Sequence, residues 1–273
     1  MVVAAAATRV APHTSAQALL SVQDVSVRFG GIVALDGVSF DVESGHIVGL
    51  IGPNGAGKTT LFNCLSRLYI PNSGDIHFKG QSILAQPRHA IPELGIGRTF
   101  QNVALFDRMS VLNNVKVGCH SRTTTGFFTN ALRLPHREEE ERRITERALE
   151  LISFMDLKQV AHLPAGGLPF PVKKRVELAR ALAAEPTLLL LDEPMAGMNQ
   201  EEKEYMARFI LDARDERGVT VMLIEHHMDI IVGICDRMLV LSYGEVIDTG
   251  VPRDVIADPR VIKAYLGGAH AAA

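Results

Sequence analysis

The sequence predicts an α/β fold: a parallel sheet covered on both faces, an antiparallel β region in front of it, and a helical insert near residues 87–160. Three observations predict this. Short apolar runs recur (HIVGLIG, TLLLLD, VTVMLIE, RMLVLSYG), and strands without alternation are buried on both sides. The last three runs each follow a helical segment, the order a parallel sheet needs. Ahead of the first run the pattern alternates and is β-branched, as in half-exposed strands.

The elements follow in order. Residues 1–19 read as a loose leader, Ala-rich but lacking the basic stretch and long apolar core of a signal peptide. LLSVQDVSVRF is a strand, and GGIVALDGVSFDV continues it as a hairpin. HIVGLIG (His46–Gly52) is a buried strand ending in glycine, and helical periodicity runs from Lys58 to about Leu68. PNSGDIHFKG is turn-rich with a short strand. From Pro87 to Asp156 the pattern is helical and polar; HREEEERRITERALELISFMDL sets its charges opposite Ile144, Ala148, Leu151, Ile152 and Met155, a solvated face opposite a core face. The tail, 267–273, is expected to fray.

Of the 273 residues, 47% are hydrophobic and 22% charged, with a net charge of −3. That is ordinary for a folded protein and gives no basic excess for nucleic acid. Cys64, Cys119 and Cys235 are far apart and form no CxxC; they read as small buried hydrophobes in a reducing compartment. No apolar run approaches the roughly 18 residues of a membrane span. Any membrane association is therefore expected to come through a partner.

Two motifs carry chemistry. GPNGAGKTT comprises Gly52, Pro53, Asn54, Gly55, Ala56, Gly57, Lys58, Thr59 and Thr60, and fits G-x-x-x-x-G-K-[ST] between a strand and a helix. Its glycines let backbone N–H groups face phosphate oxygens, Lys58 adds a charge near the β- and γ-phosphates, and the Thr59 hydroxyl can ligate Mg²⁺. LLLLDEP sets Asp192 at the end of a buried strand to hold Mg²⁺ through water, and Glu193 to orient or deprotonate an attacking water. Charge at the carboxyl end of such a strand faces the ligand crevice.

The order GPNGAGKTT, RTFQN, VELARAL, LLLLDEP, IEHH resembles the nucleotide-binding subunit of an ABC transporter over about Leu20–Leu266. VRFGGIVALDGVSF, GIGRTFQN, MAGMNQEE and IEHHMD are most similar to the branched-chain amino acid importer type. The resemblance implies a P-loop NTPase core with an antiparallel β subdomain and a helical subdomain (about 87–160 plus the helix 168–184), binding ATP and Mg²⁺. It makes Gln101 the residue that touches Mg²⁺ and the attacking water. Phe29 becomes the aromatic that stacks on adenine, and His226 the sensor of the γ-phosphate. His227 stands where the subgroup has aspartate; it is not read as a metal ligand with His226, because adjacent side chains at a strand end diverge. Asn199 and Gln200 replace a common aspartate and proline.

The family's dimers are head-to-tail, each ATP lying between one subunit's phosphate loop and its partner's LSGGQ-type signature. Here the matching residues are Leu168, Pro169, Phe170, Pro171 and Val172, and only the leucine survives. Pro169 removes a hydroxyl and an N–H, and Pro171 another N–H; proline suits a first helical turn, so the helix is expected to persist. Each lost charge-assisted hydrogen bond is worth about 1.5–3 kcal/mol, so the partner's ATP is expected to be held on the order of 100-fold more weakly, unless Lys173, Lys174 or Arg175 compensates.

The implied assembly is a heterodimer with a second ATPase subunit, two transmembrane permease subunits and an extracytoplasmic solute-binding protein, with this chain peripheral on the cytoplasmic face of the plasma membrane. The alternatives are a soluble non-transport ABC ATPase, which usually carries tandem cassettes or long coiled-coil inserts, and a regulatory subunit with little hydrolysis, against which Glu193 and His226 speak. A P-loop kinase or GTPase is disfavoured: there is no NKxD and LDEP would go unexplained.

Overall fold

The computed structural model describes residues 18–100, 103–119 and 135–267, with backbone only at 135–137 and 266–267. Gln101, leader residues 1–17 and tail residues 268–273 lie outside the described residues.

Among the described residues the strands form two sheets. The front sheet is antiparallel, in the order β2-β1-β4-β5, from β1 (Ala18–Phe29), β2 (Ile32–Glu43), β4 (Ser73–Phe78) and β5 (Gln81–Ser82). The second has the order β10-β9-β3-β8-β7-β6: β3 (Ile47–Ile51), β6 (Ile96–Arg98), β7 (Leu188–Asp192), β8 (Thr220–Ile224), β9 (Arg237–Ser242) and β10 (Glu245–Gly250). It is parallel except at β10, which pairs antiparallel with β9.

The buried parallel strands divide their side chains by the two-residue period of a strand. Ile47, Ile51, Leu189, Leu191, Val221 and Leu223 enter one core with the helices. Val48, Leu50, Leu188, Leu190, Met222 and Ile224 enter another with the front sheet and α1 (Lys58–Leu65). This is why these runs are apolar throughout: each alternate residue has a core of its own.

Helices α3 (Val111–Cys119), α4 (Pro135–Phe154) and α5 (Phe170–Ala183) pack together. The predicted stripe of Ile144, Ala148, Leu151, Ile152 and Met155 is buried against Val111, Val115, Val176 and Leu182. At Gly118 a Cβ would stand 2.1 Å from the Arg180 carbonyl oxygen, so α3 reaches α5 only through a glycine. Helix α6 (Gln200–Arg217) precedes β8, and α7 (Met228–Ile234) precedes β9. The three cysteines are buried and unbridged, and burial pushes the Cys64 and Cys235 thiols up to about 11 and about 12.

Three expectations are corrected. The stretch from 87 onward is not all helical: after a short turn of 3₁₀ helix and α2 (Ile91–Leu94), Ile96–Arg98 pair in parallel with Leu188–Leu190 as an edge strand. Three residues are too few to show a period. Strand β10 was also unforeseen; its half-exposed residues lack the apolar signature of the inner strands. Helix α1 stops at Leu65, because Arg67 turns left-handed (φ 56) and its guanidinium bonds the carbonyls of Ile83, Leu84 and Gln86.

Candidate nucleotide site

Strands β3, β8 and β7 are neighbours in the sheet, and their carboxyl ends carry the phosphate loop, His226 and the Asp192–Glu193 pair. A parallel sheet presents its ligand crevice at this edge.

The loop is built by close backbone approach. At Gly52 a Cβ would lie 2.2 Å from the Leu241 carbonyl oxygen, and at Gly57 (φ 103) 2.5 Å from that of Ala34. Both positions are closed to other residues. Ala56 is buried and joins β9–β10 through its carbonyl, which accepts from Gly244 N–H (3.0 Å); Pro53 is half-buried, and Asn54 and Gly55 are exposed. The first bond of the α1 ladder runs from Leu61 N–H to Gly57 oxygen (2.9 Å), so the amides of Lys58, Thr59 and Thr60 precede the ladder and face outward along the helix axis. Lys58 Nζ donates to the carbonyls of Gly52 (2.6 Å) and Pro53 (3.0 Å), which holds a cation at the mouth of the loop. Burial lowers its pKa, and the charges of Glu193 and Asp192 oppose that.

Asp192 is buried, and its Oδ2 accepts from Arg98 Nη2 at 3.1 Å. Burial pushes the Asp192 carboxyl up and Arg98 pulls it back. At Glu193 the backbone turns left-handed (φ 48), which breaks the strand's alternation, a conformation uncommon for a non-glycine residue and frequent at functional sites. Its Oε1 lies 3.0 Å from His226 Nε2.

Glu225, missed in the sequence, joins the two loops beside this pair. Its buried carboxylate accepts from Met195 N–H (3.0 Å) and His226 N–H (3.1 Å), and lies 3.0 Å from His227 Nδ1. His227 Nε2 is 2.8 Å from Lys203 Nζ. A lysine ammonium only donates, so Nε2 accepts and Nδ1–H donates to Glu225. His227 therefore bridges α6 to the end of β8. Asn199 is a helix cap: its Oδ1 accepts from Glu202 N–H and Glu202 Oε2 accepts from Asn199 N–H, both at 2.9 Å.

Phe29 is exposed (47%) and meets Tyr69 edge to face at 5.2 Å; Ile32, its partner across the hairpin, is exposed as well. An aromatic pair left in solvent offers a base a stacking face. Tyr69 was not foreseen; nothing in its local sequence marks it.

The signature residues lie at the start of α5. Pro169 is the N-cap and Pro171 falls in the first turn, so the helix does persist. Leu168, Pro171 and Val172 are half-buried, whereas Pro169 and Phe170 are exposed. The three cations after them are engaged within the chain. Lys173 donates to Gly166 oxygen (2.8 Å), and Arg175 to the carbonyls of Met155 and Asp156. Lys174 is buried against Glu177 (3.5 Å). This last pair grips the backbone of one residue on both sides: Glu177 Oε1 accepts from Phe100 N–H (3.3 Å) and Lys174 Nζ donates to Phe100 oxygen (3.4 Å). Phe100 directly precedes Gln101 in the chain, so α5 is bonded to the residue before it.

A family model described as ABC transporter matches residues 35–196. The chain belongs to the ABC transporter ATP-binding family, whose members bind nucleotide and hydrolyse ATP. A second model, described as branched-chain amino acid ATP-binding cassette transporter, matches residues 245–271. The chain is 40% identical over 251 residues to the high-affinity branched-chain amino acid transport ATP-binding protein BraF of Pseudomonas aeruginosa, covering 92% of this chain and 98% of that one. It is 38% identical over 253 residues to LivG of Escherichia coli, similarly named, covering 93% and 99%. A crystal structure of an ATP-binding cassette of an ABC transporter in its ADP conformation superposes with a TM-score of 0.80 at 30% identity, covering 92% of this chain and 99% of that one. No helix among the described residues is long and apolar enough to cross a membrane.

Proposed function

We propose that this chain is the ATPase subunit of an importer for branched-chain amino acids or similar small apolar or amide solutes, peripheral on the cytoplasmic face of the membrane. It works through two permease subunits, a second ATPase subunit and an extracytoplasmic solute-binding protein. The observation that carries the reading is the meeting of the phosphate loop, Asp192 and the Glu193–His226 pair at three adjacent strand ends. The similarity to BraF and LivG supports the solute class.

The amides of the loop and of Lys58, Thr59 and Thr60 bind the β- and γ-phosphates, with the Lys58 ammonium beside them. Phe29 stacks on the adenine. Two hard oxygens at the crevice, the Thr59 hydroxyl and the Asp192 carboxylate, suit Mg²⁺, which prefers oxygen and is commonly bound by one or two protein ligands together with phosphates; Gln101 joins them. Bound there, Mg²⁺ neutralises charge on the phosphates. Glu193 accepts a proton from a water molecule as the water's oxygen bonds the γ-phosphorus and the bond from that phosphorus to the β–γ bridging oxygen breaks, releasing ADP and phosphate. His226 holds the Glu193 carboxylate through Nε2 and reports the γ-phosphate.

The test is ATP hydrolysis and leucine uptake by the assembled complex in vesicles, with and without Glu193→Gln. The variant is expected to bind ATP normally and to lose hydrolysis and uptake together. Wild-type hydrolysis in the variant would remove Glu193 from this role. Hydrolysis without uptake of any branched-chain amino acid by the unaltered complex would remove the solute class.

A further inference from the structure

Arg98 opens the RTFQN stretch, in which the resemblance assigns a role to Gln101 and none to the arginine. It ends the edge strand β6, yet its side chain is only 7% exposed. Nη1 donates to Asn63 Oδ1 (2.8 Å) and Ser66 Oγ (2.6 Å), both at the end of α1, while Nη2 donates to Asp192 Oδ2. The guanidinium also lies against the Phe62 ring (5.1–5.8 Å being the span of its two ring contacts) and against that of Phe100. One planar group thus joins the helix launched by the phosphate loop, the strand end bearing Asp192 and the residue before Gln101.

A buried cation held by three hydrogen bonds and two rings has little freedom. The second side-chain torsion of an aspartate is broad and settles only when a partner holds it. Arg98 holds one carboxylate oxygen, and among the described residues no side chain is bonded to the other. The fork geometry matters: a lysine supplies charge at a point and cannot span Asn63, Ser66 and Asp192 in one plane.

We propose that Arg98 is a positioning residue for the metal: it fixes the Asp192 carboxylate so that its second oxygen serves the Mg²⁺ of bound Mg–ATP. The inference rests on the assignment of Asp192 made above. It is tested by the equilibrium binding of a fluorescent ATP analogue to the full chain, titrated with Mg²⁺ and repeated in EDTA, for wild type, Arg98→Met, Arg98→Lys and Asp192→Asn. Arg98→Met is expected to raise the Mg²⁺ midpoint about tenfold, the scale of lost support to a metal ligand. Its affinity in EDTA should stay within about twofold of wild type, a split that general unfolding does not produce. Arg98→Lys should recover part of the loss. An unchanged midpoint in Arg98→Met overturns the proposal; if that variant does not fold, an unchanged midpoint in Arg98→Lys does so. An unchanged midpoint in Asp192→Asn overturns the assignment of Asp192 itself, whereas a shift there without one in Arg98→Met leaves that assignment standing and removes only Arg98.

Discussion

The sheet edge and the start of α5 each place a helix start where phosphate is proposed to bind, and they differ in what they leave available. At the sheet edge, glycines bring the backbone close, Lys58 sits at the loop mouth, and Glu193 next to Asp192 lies within bonding reach of His226. At α5, two prolines occupy the cap and first turn, and Lys173, Lys174 and Arg175 are bonded inward. The same helix geometry can therefore persist while its capacity to bind phosphate is reduced. Compensation by the three neighbouring cations, open from sequence, finds no support in their contacts.

Four measurements sharpen or break this contrast. The largest effect is expected where α5 is structural. Lys174→Met removes the cation paired with buried Glu177 and should cost about 3–5 kcal/mol in denaturant unfolding. Burial already raises the Glu177 carboxyl, and Lys174 is the chief influence lowering it, so the variant raises it further. The folded state then holds a proton that the unfolded state releases, and stability falls as pH rises through that window. The deficit should accordingly be smaller at pH 5 than at pH 8; a deficit independent of pH would count against the pairing.

Next, Glu193→Gln should lower kcat of the complex about 100-fold or more, the scale of a lost general base, with nucleotide affinity unchanged. A comparable fall in affinity would mean that the residue binds rather than reacts. Third, Pro169→Ser with Pro171→Gly should raise the affinity of the partner-facing ATP by on the order of 100-fold or more, for two donors worth about 1.5–3 kcal/mol each. No gain would show that the prolines do not weaken the hold on the partner's ATP. Smallest, Asn199→Ala removes one half of a capping box and should cost about 1 kcal/mol of stability, read as a shift in denaturant midpoint.

Much of the candidate site was legible before any coordinates. The phosphate loop needs glycine where other backbone passes, and that need is written locally in GPNGAGKTT. Glu193, read from LLLLDEP, and His226, placed by resemblance, do meet at 3.0 Å. The helical stripe around Leu151 was legible because a 3.6-residue period repeats it along one element. Gln101 falls outside the described residues, and its role remains a proposal.

By itself, then, the sequence determined the features whose cause is local: buried strands, amphipathic helices, the glycine loop, the acids at a strand's end and the prolines that start α5. Tertiary structure alone decided which distant residues complete them. Arg98 reaches Asp192 across 94 positions and Glu177 reaches Phe100 across 77, while β6 exists only because β7 offers it a backbone edge. Such contacts leave no period and no spacing in the chain, since they arise when separate segments are brought together and a buried polar group must find a partner there.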